Sequence, residues 1–191
     1  MDKFLFNKLC NKYSPIITKL INQNIKFYRF HETIRWQFGF DERVAIEFKA
    51  IKGNNPCKSI LSVVDQYIVS FLNSPYSNEG IIKWGIDDDG KVIGVKLNKK
   101  QRDEIRKGIQ CQINNILPPL TSNICDLQFQ VILNDNNNII EDLYIVELKV
   151  RHKFSKNLYS TGKGEVFIKR DGVKQKLNPY QIQLEAVQRN K

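Results

Sequence analysis

Hydrophobic positions along this chain change period several times, and each change marks an element boundary. Ile60, Val64, Tyr67, Ile68 and Phe71 recur at helical spacing and predict one helix over residues 57–72. Ile105, Ile109, Ile113 and Ile116 predict a longer one, entered at Asn98 with Gln101 in the capping-box position and ended by Pro118-Pro119. A last helix opens at Asn178-Pro179 and carries Ile182, Ala186 and Val187 on one side. Near the N-terminus, residues 3–23 read as two short helices. Phe4, Leu5 and Leu9 share a face of the first, and Ser14-Pro15 restarts the second through Ile16, Ile17, Leu20 and Ile21.

Elsewhere the spacing falls to two or turns mixed. Residues 43–51 alternate as a strand and stop at Gly53-Asn54-Asn55-Pro56, while residues 25–36 read as a strand or extended approach. Gly80–Ile86 and Lys91–Leu97 predict two strands joined by Asp87-Asp88-Asp89-Gly90, where Asp-Gly signals a hairpin turn. Cys125–Leu133 and Leu143–Val150 flank an Asn-rich turn at 134–138, and Glu165–Arg170 adds a further strand. The order is α, then β-α-β-β-α-β-β-β-α, an α+β fold with a mostly antiparallel sheet flanked by helices. Residues 1–36 read as a helical extension packed on a domain of residues 37–191.

Composition adds a partner. The 191 residues carry a net charge of +10, and 41% hydrophobic content is ordinary for a globular chain. Between Lys149 and Lys176, nine lysines and arginines face only Glu165 and Asp171, so +7 of the +10 lies in one stretch. The positive charge points to an anionic partner, most simply nucleic acid or an anionic membrane, and its concentration in one run suits a phosphate-binding patch. Lys149, Arg151, Lys153, Lys169, Arg170 and Lys174 are its candidate phosphate contacts. No apolar run reaches membrane-spanning length, and the first ten residues do not read as a signal peptide. Cys10, Cys57, Cys111 and Cys125 form no CxxC pair. Zinc is unsupported, and single reduced thiols in the cytoplasm, with the nucleus as alternative, are expected.

Against this basic background stand acids in two segments. In the strand over residues 44–50, Glu47 and Lys49 share a face, with Ile46, Phe48 and Ala50 on the other. That pair serves two chemistries: a metal-binding carboxylate beside a phosphate-stabilising ammonium, or an ordinary ion pair two residues apart. Glu42 would face opposite to Glu47 in a regular strand and joins it through a bend or bulge near Arg43, or by preceding the strand proper. Asp89 beside Gly90 reads as a turn former, whereas Asp87, directly after Trp84-Gly85-Ile86, is placed to point back toward the sheet. Neither His31 nor His152 has a partner at metal-ligand spacing, and no phosphate loop, nucleophile elbow or dinucleotide fingerprint is present.

Glu42-x4-Glu47-Phe48-Lys49, then a helix, then Gly80-x4-Gly85-Ile86-Asp87-Asp88-Asp89-Gly90-Lys91-Val92-Ile93-Gly94-Val95 resembles the Schlafen family and its AlbA_2 domain. Phe167-Ile168-Lys169-Arg170-Asp171-Gly172 resembles that domain's final strand. The resemblance implies a single AlbA_2-like lobe and a metal-dependent endoribonuclease cleaving structured RNA, such as tRNA, rRNA or small-RNA precursors. Under it, Glu42, Glu47 and Asp87 hold Mg²⁺ or Mn²⁺ and Lys49 assists the phosphate. The alternative it implies is a non-catalytic RNA- or DNA-binding subunit of a larger RNA-processing complex, for example one acting on piRNA precursors. Because the chain corresponds to about half of a two-lobed Schlafen core, a homo- or hetero-oligomer with another Schlafen-like domain is expected.

Overall fold

Asparagine caps set the main helix boundaries. Asn98 accepts from the Gln101 N–H and the Gln101 side chain returns a bond, opening α4 (Lys99–Asn114). Asn178 does the same with Gln181 and opens α5 (Pro179–Arg189). Each reciprocal box satisfies helix N–H groups that otherwise lack partners. A computed structural model describes residues 15–23, 25–33, 44–75, 78–120, 124–151, 155–170 and 172–190. The expected first helix lies outside these residues; the second is α1 (Pro15–Asn22), which packs Ile17 and Leu20 against Leu133.

The helix expected over 57–72 divides into α2 (Pro56–Leu61) and α3 (Val64–Leu72). Val63 between them turns to φ −133° and interrupts the helix. The apolar stripe continues across the break, with Ile60, Val64, Ile68 and Phe71 all fully buried. Periodicity therefore reads one helix where there are two.

The strands are β1 (Phe27–Arg29), β2 (Val44–Lys49), β3 (Glu79–Trp84), β4 (Val95–Lys96), β5 (Cys125–Leu133), β6 (Ile139–Arg151), β7 (Phe167–Arg170) and β8 (Val173–Lys176). Six form one sheet in the order β1-β5-β6-β3-β2, with β4 also on β6. Pairings to β6 are antiparallel, but β1–β5 and β2–β3 are parallel, so the sheet is mixed. The β2–β3 pair is parallel because the chain crosses over between them through α2 and α3. One face carries Ile82, Trp84, Val146, Leu148 and Val150 against Ile60, Val64, Ile68 and Ile105 of the helices. Each such side chain contributes about 1.5–3 kcal/mol on burial. The opposite face holds a smaller cluster of Ile86, Val92, Ile132 and Ile145.

The expected hairpin around Asp87–Gly90 is reduced to one bridge, Ile86 to Val92. Gly85 and Gly94 adopt φ of +100° and +72°, and the N–H groups of Ile93 and Gly94 both donate to the Gly85 carbonyl. This pinch hands the returning chain to β6 instead of β3. A Cβ on Gly94 would lie 2.6 Å from Leu143, so the crossing requires glycine there.

β7 and β8 make a separate hairpin against α3; β8 was not expected from the sequence. α5 also differs from expectation: it buries Glu185 and Arg189, and Val187 is 58% exposed. Arg189 donates to the carbonyls of Asn73 and Ser155 and pairs with Glu185, so its inward turn is set by polar contacts and not by an apolar stripe. Among the described residues, no helix is long and apolar enough to cross a membrane. Cys57, Cys111 and Cys125 are free thiols, and burial pushes that of Cys125 up to about 12.

Candidate nucleic-acid site

Three segments far apart in sequence meet at Glu47. In the β2–β3 register Glu47 stands beside Ile82 and Lys49 beside Trp84, so both point to the helix-covered face. Lys49 Nζ lies 2.9 Å from Glu47 Oε1 and Lys169 Nζ, from β7, lies 2.5 Å from Oε2. The Tyr67 hydroxyl on α3 donates to Oε1 at 3.2 Å. Lys174 on β8, opposite Lys169 in the hairpin, donates to Gln66 Oε1 at 2.6 Å. Its ammonium sits 4.3 Å from the Tyr67 ring centroid and 5.3 Å from that of Phe167.

Burial pushes the Glu47 carboxyl up, but the hydrogen bonds and charges of Lys169 and Lys49 outweigh it and hold the group below its ordinary value. The bond to Glu47 raises Lys49 in turn. Burial lowers Lys174, aided by the charges of Lys49 and Lys169 and opposed by those of Glu47 and Asp65. Glu47 is therefore an ionised carboxylate enclosed by cations.

Strand alternation sorts the other expected contacts. Lys169 faces Glu47, so its neighbour Arg170 faces the other way and pairs with Glu185 on α5. Lys149 and Arg151 project from the opposite face of the main sheet and pair with Glu79 at 3.2 and 3.5 Å. The basic stretch is thus divided among three directions. Glu42 and Lys153 lie outside the described residues. Tyr67 and Gln66 were not read as site residues: at helical spacing Tyr67 is indistinguishable from core, and its polar tip was the available signal.

Asp87 lies past the same sheet end as Lys49, since the Gly85 N–H donates to the Lys49 carbonyl. Its Oδ1 accepts from the N–H groups of Asp89 at 3.1 Å and Lys91 at 2.8 Å, which fixes the turn. Among the described residues, no three His, Cys, Asp or Glu side chains group to hold a metal ion. Both Glu47 oxygens are engaged by ammonium groups, so the described donors do not fit a divalent cation as they stand.

A second ionic cluster lies on the opposite sheet face. Lys83 Nζ is 3.0 Å from Glu147 and 2.5 Å from the Tyr28 hydroxyl, with Lys26 3.7 Å from the same carboxylate. Burial raises Glu147, but Lys83 outweighs it and the carboxyl sits below its ordinary value. Glu147 is 3% exposed in its side chain against 17% for Glu47, so its carboxylate is the more enclosed of the two.

Residues 42–178 match the family described as Schlafen, AlbA_2. Among solved structures, the DIP2311 protein from Corynebacterium diphtheriae is similar at 14% identity and a TM-score of 0.46. The match covers 72% of this chain and 25% of that one, so this chain spans about a quarter of its length.

Proposed function

This chain belongs to the Schlafen AlbA_2 family, and from that premise we propose that it binds RNA, gripping the phosphate backbone with the lysines around Glu47. The observation that carries this is the convergence of Lys49, Lys169 and Lys174 from three strands around the Glu47 carboxylate. A net charge of +10 supports an anionic partner. The choice of RNA over DNA rests on the family, because phosphate charge is common to both. A further Schlafen-like lobe, from a second copy or another protein, would extend the groove.

Metal-dependent cleavage of structured RNA is the second reading. It is favoured by the placement of Glu47 and Lys49 on one strand face, with Glu47 kept ionised. Mg²⁺ or Mn²⁺ would have to displace lysine from Glu47 and draw on Asp87 and Glu42. A tRNA assay separates the readings. Binding in EDTA is expected, weakening with salt at a log–log slope of about −2 or steeper for three phosphate contacts. Salt-independent binding would remove the first reading. Cleavage in Mn²⁺ that disappears in Glu47→Ala establishes the second; no cutting by wild type leaves a binding domain.

A further inference from the structure

We propose that Lys49, Lys169, Lys174 and the Tyr67 hydroxyl form a site for one phosphate group, in which Glu47 is a resident stand-in that the incoming phosphate displaces. The donor set is the first argument. Two ammonium groups and a hydroxyl converge on the two Glu47 oxygens at 2.5–3.2 Å, the arrangement that the peripheral oxygens of a phosphate accept equally well. Charge is the second. One carboxylate does not neutralise three lysines, and Lys174 is held by neutral groups: the Gln66 amide and the Tyr67 and Phe167 rings. Asp65 is the other acid whose charge reaches Lys174, and its Oδ1 is engaged by the Gln66 N–H. Burial is the main cause of the lowered Lys174 value, and the charges of Lys49 and Lys169 add to it against those of Glu47 and Asp65.

Access is the third argument. The Lys49 side chain is 39% exposed and that of Glu47 17%, whereas that of Lys169 is 4%. The cluster therefore has a floor at Lys169 and a mouth at Lys49. The Glu147 cluster is tighter at its carboxylate, which is 3% exposed and held by Lys83 at 7%, with the exposed Lys26 farther off at 3.7 Å. At Glu47, a phosphate entering past Lys49 takes over the donors and the carboxylate swings toward solvent.

This depends on the RNA-binding reading only for what the phosphate belongs to, so the test uses two probes in EDTA. Inorganic tripolyphosphate is titrated calorimetrically into wild type and Glu47→Gln, and a labelled RNA oligonucleotide is titrated in parallel. Removing the resident charge is expected to tighten tripolyphosphate binding about fivefold, the factor for an ion pair of about 1 kcal/mol. Equal or weaker binding by Glu47→Gln overturns the proposal. If that variant fails to fold because buried Lys169 loses its partner, Lys49→Gln carries the test. It leaves the Lys169–Glu47 pair intact and is expected to weaken tripolyphosphate binding about fivefold; unchanged binding overturns the proposal. Tighter tripolyphosphate binding with no RNA binding by either protein upholds the site and rejects the RNA reading. RNA bound equally by both, with tripolyphosphate unaffected, does the reverse.

Discussion

Replacing Asn73 with alanine removes a single side chain that ties three parts of the fold together. Asn73 is fully buried at the end of α3. Its amide donates to the carbonyls of Tyr159 at 2.9 Å and Phe167 at 2.8 Å and accepts the Tyr159 N–H at 2.8 Å. Its own carbonyl accepts from Arg189 on α5. Each of the three side-chain bonds contributes about 1 kcal/mol net, and buried groups left without partners add to that. Asn73→Ala should therefore cost about 3–4 kcal/mol. For a domain of this size, at about 2–4 °C per kcal/mol, the melting temperature falls by about 6–16 °C. Urea unfolding followed by the fluorescence of buried Trp84 measures the same loss as a midpoint shift of about 1.5–2 M, taking a slope of about 2 kcal/mol/M. Asn73→Asp keeps the acceptor for Tyr159 but sets a carboxylate against two carbonyls, so it should fall at least as far. A midpoint shift below about 0.5 M for alanine, at unchanged slope, refutes the account, and so does an aspartate variant milder than alanine.

Two further outcomes follow from the ionic clusters. Lys83→Met leaves the Glu147 carboxylate buried without its nearest cation, with Lys26 at 3.7 Å, and should cost about 3 kcal/mol, much of it recovered in Lys83→Met/Glu147→Leu; thermal melts of the set check this, and a milder single variant than double variant contradicts it. Both Glu47 and Glu147 ionise more readily folded than unfolded, so their contribution is fully present above the ordinary carboxylate value of about 4.3 and is lost as pH falls through the lower folded values; the urea midpoint should hold from about pH 7 to 5, drop below about pH 4, and drop less steeply in Glu47→Gln.

What was legible in the sequence was local. Asn98 with Gln101 and Asn178 with Gln181 announce their helices because a cap is written within four residues. The β5–β6 pair is visible because both strands alternate around a short Asn-rich turn. The pairing of β4 was not visible, since Gly85 and Gly94 divert a chain that otherwise reads as a simple hairpin. The candidate site was half legible. Glu47 and Lys49 share a strand face, as alternation requires, but nothing near Glu47 points to Lys169, which is 122 residues away. Nor does local pattern show Arg170 turning to Glu185 while its neighbour turns to Glu47. Those outcomes depend on where the β7–β8 hairpin docks, a tertiary choice made by Asn73, Phe167 and α5.

The 122-residue separation between Glu47 and Lys169 also fixes when the site can exist. Contacts this distant in sequence close late, because the entropy of a long loop must be overcome before they return anything. The central sheet can assemble from β2, β3, β5 and β6 with Glu47 paired to Lys49 on its own strand; only the docking of β7 supplies Lys169. A half-folded chain accordingly presents a balanced Glu47–Lys49 pair where the finished one adds Lys169 and Lys174. The local charge at this point rises from near zero to positive as folding completes, so phosphate is attracted by the native protein and not by the incomplete one.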